Sequence, residues 1–235
     1  MPSRSKPLLI AHRGGALETF ENSRAAFHHA IAAGSHSIEV DLRATKDHQI
    51  AVVNPLVIMH DETLDRTAAA HGLVKQFTSE QLKEFRLQNG EPIPMLEELL
   101  AIAAGKIELH LEIKEPELEV PLVRMIQKFN MARSVYIISF DAPVLRAIHA
   151  KDPTLRTGFL FEEPERWNEA PEFCEFILPW DKLLDDVMFE NLKATGKKIH
   201  AWVVNEPEEA GKLIAAGVEG IITDRPAALH QSGLF

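Results

Sequence analysis

Two histidines, three acids and two basic residues stand out by type and spacing. His12 closes the run LLIAH and is followed at once by Arg13. Glu39 and Asp41 alternate in SIEVDLR, and His60 lies in IMHDETLDRT. Glu112 lies in LHLEIKE, with Lys114 two places further on. Side chains two apart in a strand share one face. Glu39 and Asp41 therefore point one way together, and so do Glu112 and Lys114. Two carboxylates at that spacing, joined by a third from another strand, make an oxygen-rich cluster suited to a hard divalent cation. Two like charges about 4 Å apart repel by roughly 4 kcal/mol at an effective dielectric near 20, so a cation or a bound proton must relieve the cluster. His12 and His60 can move protons near neutral pH. Arg13 offers a planar fork to a phosphate oxygen, and Lys114 adds a second positive charge. The set points to metal-assisted chemistry on a phosphodiester.

These residues need a scaffold that brings separate strand ends together, and the chain supplies one. Eight apolar, strand-like runs recur at 8–12, 37–42, 107–113, 134–140, 156–161, 176–180, 198–204 and 220–224. Helical stretches alternate with them at 23–33, 95–104, 117–131, 142–151, 185–194, 207–216 and from Pro226 onward. Gly34, Gly105, Gly196 and Gly217 follow last helical turns, and Pro207 and Pro226 stand near helix starts. The connection 162–175 is the least helix-like. Strict β/α alternation argues for a parallel sheet. Eight units argue for an α/β fold closed as a (β/α)8 TIM-type barrel, with one catalytic domain over residues 1–235. An open doubly wound sheet is the alternative, and no G-x-G-x-x-G at the first strand–helix turn favours it. One segment, 43–106, is too long for a plain connection. It contains a short helix in TSEQLKEFRL and reads as a small inserted subdomain between the second and third strands, over the rim where barrel active sites sit.

Composition narrows the class. The chain has 235 residues, 46% hydrophobic and 26% charged, which is ordinary for a soluble globular protein. A net charge of −10 argues against a nucleic-acid partner and leaves a small molecule as the expected one. The single cysteine, Cys174, excludes an intrachain disulfide and reads as a buried thiol. LLIA is too short for a signal segment and no run approaches a membrane span, so a cytoplasmic protein without stable membrane insertion is expected.

Each candidate also has a plainer reading. Glu112 with Lys114 could be a buried structural ion pair. His110 reads as a hydrogen-bonded interior histidine. Asp61 could orient a histidine, cap a local turn or do nothing chemical, and the structural role ranks first; Thr223 with Asp224 reads as a helix cap. Trp202, at the end of the seventh run, either lines the pocket or fills a core layer. His28, His29 and His48 read as surface or locally bonded.

In order along the chain stand HRG, ENS, E-x-D, TKD, VV, HD-x-x-L-x-RT, IP-x-L-x-E-L-L, EIK, W-x-V-N and G-I-x-TD-x-P. This ordered set resembles the glycerophosphodiester phosphodiesterase family over His12 to Pro226. The resemblance implies a TIM-type barrel with a small insertion. It implies a divalent cation, usually Mg2+ or Ca2+, on Glu39, Asp41 and Glu112. It implies His12 and His60 as the acid/base pair, and Arg13 and Lys114 as phosphate contacts. Glu21 and Asn22 match the family's acidic-asparagine turn. The implied reaction is hydrolysis of a glycerophosphodiester to glycerol 3-phosphate and an alcohol. ETFENS lacks the usual preceding proline, NPLVI is inserted before MHD, TKDH replaces TKDG and WVVN replaces WTVN; none of these deletes a proposed catalytic group. Rivals are a lysophospholipase D-type activity, for which Phe140, Phe161, Trp180 and Trp202 would line an acyl groove, a non-catalytic phospho-ligand-binding barrel, and a metal-dependent sugar isomerase.

Overall fold

The computed structural model describes residues 6–47 and 56–235. Nine strands form in chain order: β1 Leu8–His12, β2 Ser37–Ala44, β3 Leu56–Ile58, β4 Glu108–Ile113, β5 Val135–Ser139, β6 Arg156–Phe161, β7 Phe176–Pro179, β8 Lys198–Ala201 and β9 Gly220–Thr223. Eight of them are parallel and run β1-β2-β4-β5-β6-β7-β8-β9. The β1–β9 and β1–β2 pairings close the ring. The expected (β/α)8 barrel is therefore the observed fold, with every one of the eight anticipated strands present. The ninth, β3, is an antiparallel addition to the outer end of β2, with Leu42 opposite Ile58.

Eight α-helices accompany them: α1 Arg24–Ala32, α2 Ser79–Glu84, α3 Leu96–Ala103, α4 Glu119–Lys128, α5 Ala142–Lys151, α6 Asp186–Ala194, α7 Pro207–Ala216 and α8 Pro226–Gln231. Their start signals are local. Ser23 caps α1 by accepting from the Ala26 N–H, Asp185 caps α6 through the Met188 N–H, and Pro207 and Pro226 open α7 and α8. The β6–β7 connection, weakly helical in sequence, forms only a 3-10 turn over Pro164–Glu169. None of the described helices is long and apolar enough to cross a membrane.

Period-two alternation sorts the strand side chains between two cores. One set, including Leu9, Val40, Leu109, Leu111, Ile137 and Phe159, faces outward and packs under the helices. Phe161 is among them and fully buried, so it lines no groove. Inward positions Leu8, Ile10, Tyr136, Ile138, Leu160, Phe176, Leu178 and Ile222 fill the barrel. Below that apolar layer the interior is polar. His110 is fully buried, pairs through Nδ1 with the Ser37 hydroxyl at 2.7 Å and stacks on Tyr136 at 4.3 Å, the interior role expected of it. His200 lies 3.4 Å from His110 Nε2.

The segment between β2 and β4 has a small core of its own, built from Val57, Met59, Leu64, Val74, Leu82, Leu87, Ile93 and Met95. It is narrower than the 43–106 expected from sequence. At one end Arg43 and Ala44 still belong to β2, and at the other α3 packs its Leu96, Leu99 and Leu100 into the outer barrel core. A capping box between Thr78 and Gln81 starts α2. Asp47 ties that start back to the end of β2 by accepting from the Ser79 N–H at 2.9 Å. His48, and the VV and NP positions ahead of β3, lie outside the described residues.

Candidate active site

The ends of β1, β2 and β4 carry the acids and the first histidine to one mouth of the barrel. Register does this directly: His12 is the partner of Glu39 across β1–β2, and Asp41 is the partner of Glu112 across β2–β4. Glu39, Asp41 and Glu112 are 2%, 1% and 8% exposed, and one carboxylate oxygen from each lies within 4.8 Å of the other two. These are oxygen donors only, in a buried cluster, and such a set fits a hard divalent cation.

Positive groups surround the cluster without neutralising it. Lys114 Nζ lies 2.7 Å from Glu112 and 3.5 Å from Asp41, and Arg13 Nε lies 3.4 Å from Asp41. The three acids respond differently. Burial, then the Asp41 charge, push the Glu112 carboxyl up to about 7 against the pull of Lys114. Burial, then the charges of Asp41 and Glu112, push Glu39 well above the usual carboxylate range. Burial also acts on Asp41, but Arg13 and Lys114 more than offset it and hold Asp41 below its ordinary value. Asn22 reinforces this by donating from Nδ2 to Asp41 at 3.0 Å. A cluster that retains protons near neutral pH in the absence of other charge is one in which a divalent cation replaces them favourably.

The loop after β1 needs its glycines. Arg13 itself sits in the left-handed region at φ 50°, where its N–H donates to Glu39 at 3.1 Å. Gly14 follows at φ 83°, and a Cβ there would lie 2.6 Å from the Cβ of Ala26 and 2.8 Å from its backbone carbon. The loop is therefore pressed onto α1, which fixes where His12 and Arg13 emerge.

Both histidines are anchored through Nδ1. His12 pairs with Asp224 at 2.6 Å, and His60 with Asp61 at 2.7 Å. An ionised aspartate only accepts, so each ring donates from Nδ1 and keeps Nε2 for the pocket. His12 Nε2 lies 3.9 Å from Glu39. Asp224 is held in turn by Asn205, whose Nδ2 donates to it at 3.0 Å and whose Oδ1 accepts from the Asp224 N–H at 2.8 Å. Burial, helped by Arg13 and Lys114, draws the His60 imidazole below its ordinary value against the opposing pull of Asp41 and Asp61. Sequence reasoning ranked a structural role for Asp61 above the orienting of a histidine that it also offered, gave Asp224 a capping role, and missed Asn205 and Arg66. The signals available were the His–Asp adjacency at 60–61 and the polar ends of W-x-V-N and TD-x-P.

A cavity of about 270 Å³ joins these parts. His12, Arg13, Glu39, His60, Glu112 and Lys114 line one side; Ile138, Phe140, Leu160, Trp202 and Ile222 line the other, with Glu162 at the mouth. Asp41 lies beneath, in contact with Arg13 and Lys114. All eight sequence-derived candidates thus meet at one place. Trp202 lines the pocket rather than filling a core layer. It meets Phe140 edge-on at 5.5 Å, and its indole N–H donates to the Leu178 carbonyl at 2.8 Å.

Comparison with known proteins points to one family. The model of the glycerophosphoryl diester phosphodiesterase family matches residues 12–228. A glycerophosphodiester phosphodiesterase of Caldanaerobacter subterraneus is 35% identical over 95% of this chain and 96% of its own length. The human lysophospholipase D GDPD1 is 24% identical over 94% of this chain and 84% of its own. Among solved structures, an Oleispira antarctica phosphodiesterase in complex with the product sn-glycerol-3-phosphate superposes with a TM-score of 0.82 at 24% identity, covering 97% of this chain and 96% of that one. With one barrel, one polar mouth and a family match that begins at His12 itself, the chain belongs to the glycerophosphoryl diester phosphodiesterase family.

Proposed function

We propose that the protein hydrolyses glycerophosphodiesters to glycerol 3-phosphate and an alcohol, with a divalent cation, Mg2+ or Ca2+, held by Glu39, Asp41 and Glu112. The observation that carries this reading is that two carboxylate-anchored histidines line one cavity together with Glu39, Glu112, Arg13 and Lys114, with Asp41 beneath. When bound, the cation supplies positive charge to phosphoryl oxygens and offsets the charge that develops on them. Arg13 and Lys114 bind the remaining phosphate oxygens and add to that potential. One histidine takes the proton from the attacking hydroxyl at its Nε2, and the other gives a proton from Nε2 to the departing alcohol oxygen. Asp61 and Asp224 keep each Nε2 facing the phosphate. Trp202 and Phe140 cover the carbon skeleton and reduce water access from the apolar side.

Cavity size favours a small alcohol over a lipid. About 270 Å³ lies at the low end for a ligand pocket, enough for glycerophosphate with a compact head group. The apolar wall supports a lysophospholipase D-type reading in second place, because an acyl chain could leave through the mouth beside Phe140 and Trp202. Choline, ethanolamine, inositol and glycerol diesters, with one lysolipid, separate the two when assayed with Mg2+ or Ca2+ and with chelator. Glycerol 3-phosphate release from the small diesters, lost in chelator, is expected. Turnover of the lysolipid alone would reverse the order of the two readings, and turnover of neither class would exclude both.

A further inference from the structure

Arg66 lies on the inserted segment, five residues beyond Asp61, with its side chain about half exposed, and it does not line the cavity. Its guanidinium nevertheless makes two complete forks. Nε and Nη2 donate to Asp61 at 2.6 and 3.1 Å, and Nη1 and Nη2 donate to Glu21 at 2.9 and 2.7 Å. Glu21 belongs to the β1–α1 loop of the barrel and also accepts from Arg13 Nη1 at 3.1 Å. Groups of alternating character therefore run His60, Asp61, Arg66, Glu21, Arg13, Asp41, from the inserted segment to the acidic triad.

Exposed ion pairs contribute little to stability. Four charge-assisted bonds from one half-exposed guanidinium do something else: they fix two carboxylates relative to each other in a plane. One of those carboxylates orients His60 and the other orients Arg13. Arg66 also holds Asp61 well below the usual carboxylate range, so Asp61 stays an acceptor for the His60 ring. We propose that Arg66 is a positioning residue, a clasp that fixes the His60 tautomer and sets His60 against Arg13 across the junction between the inserted segment and the barrel. The functional part rests on the proton-transfer role proposed for His60, whereas the tautomer part stands without it.

The test uses Arg66→Met, Arg66→Lys and Glu21→Gln in the Mg2+-containing protein. Ring 15N shifts of His60, read by NMR without substrate, give the tautomer. Steady-state kinetics on a choline diester give kcat and KM separately. Arg66→Met should convert a single Nδ1–H tautomer into a mixture. It should lower kcat about 10- to 100-fold, with KM moving much less and the melting temperature within a few degrees of wild type. Arg66→Lys should restore little, since an ammonium cannot fork two carboxylates. Glu21→Gln keeps the Asp61–His60 pair but frees Arg13, so it should raise KM with the tautomer intact; it also probes the clasp if Arg66→Met does not fold. An unchanged His60 tautomer and a kcat within twofold of wild type in Arg66→Met would overturn the proposal, as would full recovery by lysine. If the wild type turned over no diester, the functional reading would fall, while a tautomer change in Arg66→Met would still support the clasp.

Discussion

Removing the cation proposed for the triad should cost a measurable part of the protein's stability, by an amount set by its occupancy and over a pH range set by the triad. Glu39, Asp41 and Glu112 are nearly fully buried and lie within 4.8 Å of one another. A ligand that binds only the folded form at 100 times its dissociation constant stabilises it by about 2.7 kcal/mol. For a chain of this length each kcal/mol moves the melting temperature by about 2–4 °C, so the loaded protein should melt roughly 5–11 °C above the chelated one. The gap should depend on pH. Without a cation, Glu112 is raised to about 7 and Glu39 is raised as well, so the folded state holds protons that the unfolded chain has released. A carboxyl raised in the folded state contributes stability below its ordinary pKa and loses it as pH rises through the folded value. The chelated protein should therefore weaken as pH rises from about 4.5 to about 7, while the loaded protein does not, and the gap should widen across that range. Differential scanning calorimetry with Mg2+, Ca2+ or EDTA measures it directly. Glu39→Gln, Asp41→Asn and Glu112→Gln should each shrink the gap severalfold. A gap that survives in all three variants, or that narrows as pH rises, would refute the assignment of the cation to these residues.

Further outcomes follow from other parts of the molecule. His12→Ala and His60→Ala should each lower kcat by about 100-fold or more. A diester with an activated leaving group should rescue whichever variant has lost the acid, and equal rescue of both would rule out a division of labour. The buried His200 is pushed down to about 3 by burial first and then Lys198 and Arg156, and His110 is also lowered. The unfolded chain then binds more protons below about pH 6.5, so stability is complete above that pH and falls by about 1.4 kcal/mol per unit per histidine toward pH 3. Urea midpoints of wild type and His200→Leu between pH 7 and 5 should show a shallower fall in the variant, and identical slopes would count against this account. Leu82→Ala opens the small core of the inserted segment at a local cost of about 2–5 kcal/mol. Hydrogen exchange should quicken in residues 57–95 well before it does in β5 to β7, and equal loss in both would mean that the two cores unfold as one.

The barrel was legible because each βα unit is locally self-consistent. Period-two alternation in SIEVDL or LHLEI, a glycine after each last turn and a proline at a helix start agree with the parallel ring that forms. The acidic triad was legible for the same reason, since i, i+2 spacing in a strand fixes a shared face whatever the tertiary structure. What escaped was set by partners remote in sequence. Asp224 becomes the anchor of His12 only because β9 pairs beside β1, across 212 residues. Asn205 supports it from the end of W-x-V-N, which carries no periodic signal. Arg66 sits in a motif that reads as an ordinary salt-bridging loop until Glu21 is brought opposite. The two-way reading of Trp202 turned on the end of β8: the strand stops at Ala201, Trp202 bridges only to Trp180 beyond it, and its indole lines the pocket beside Phe140.

The seam of the ring runs through the chemistry. β1 is held between β2, which brings Glu39 opposite His12, and β9, which leads to Asp224. The acids assemble from β2 and β4, but the His12–Asp224 pair proposed for proton transfer forms only when β9 docks beside β1. During synthesis, then, a growing chain can lay down most of its helices and even collect its ligands while remaining inert, until the segment bearing Asp224 is free to return. Such far-apart pairings are also the slow ones in refolding. Recovery of turnover should therefore lag recovery of helical signal, and the enzyme's own activity becomes a clock for ring closure.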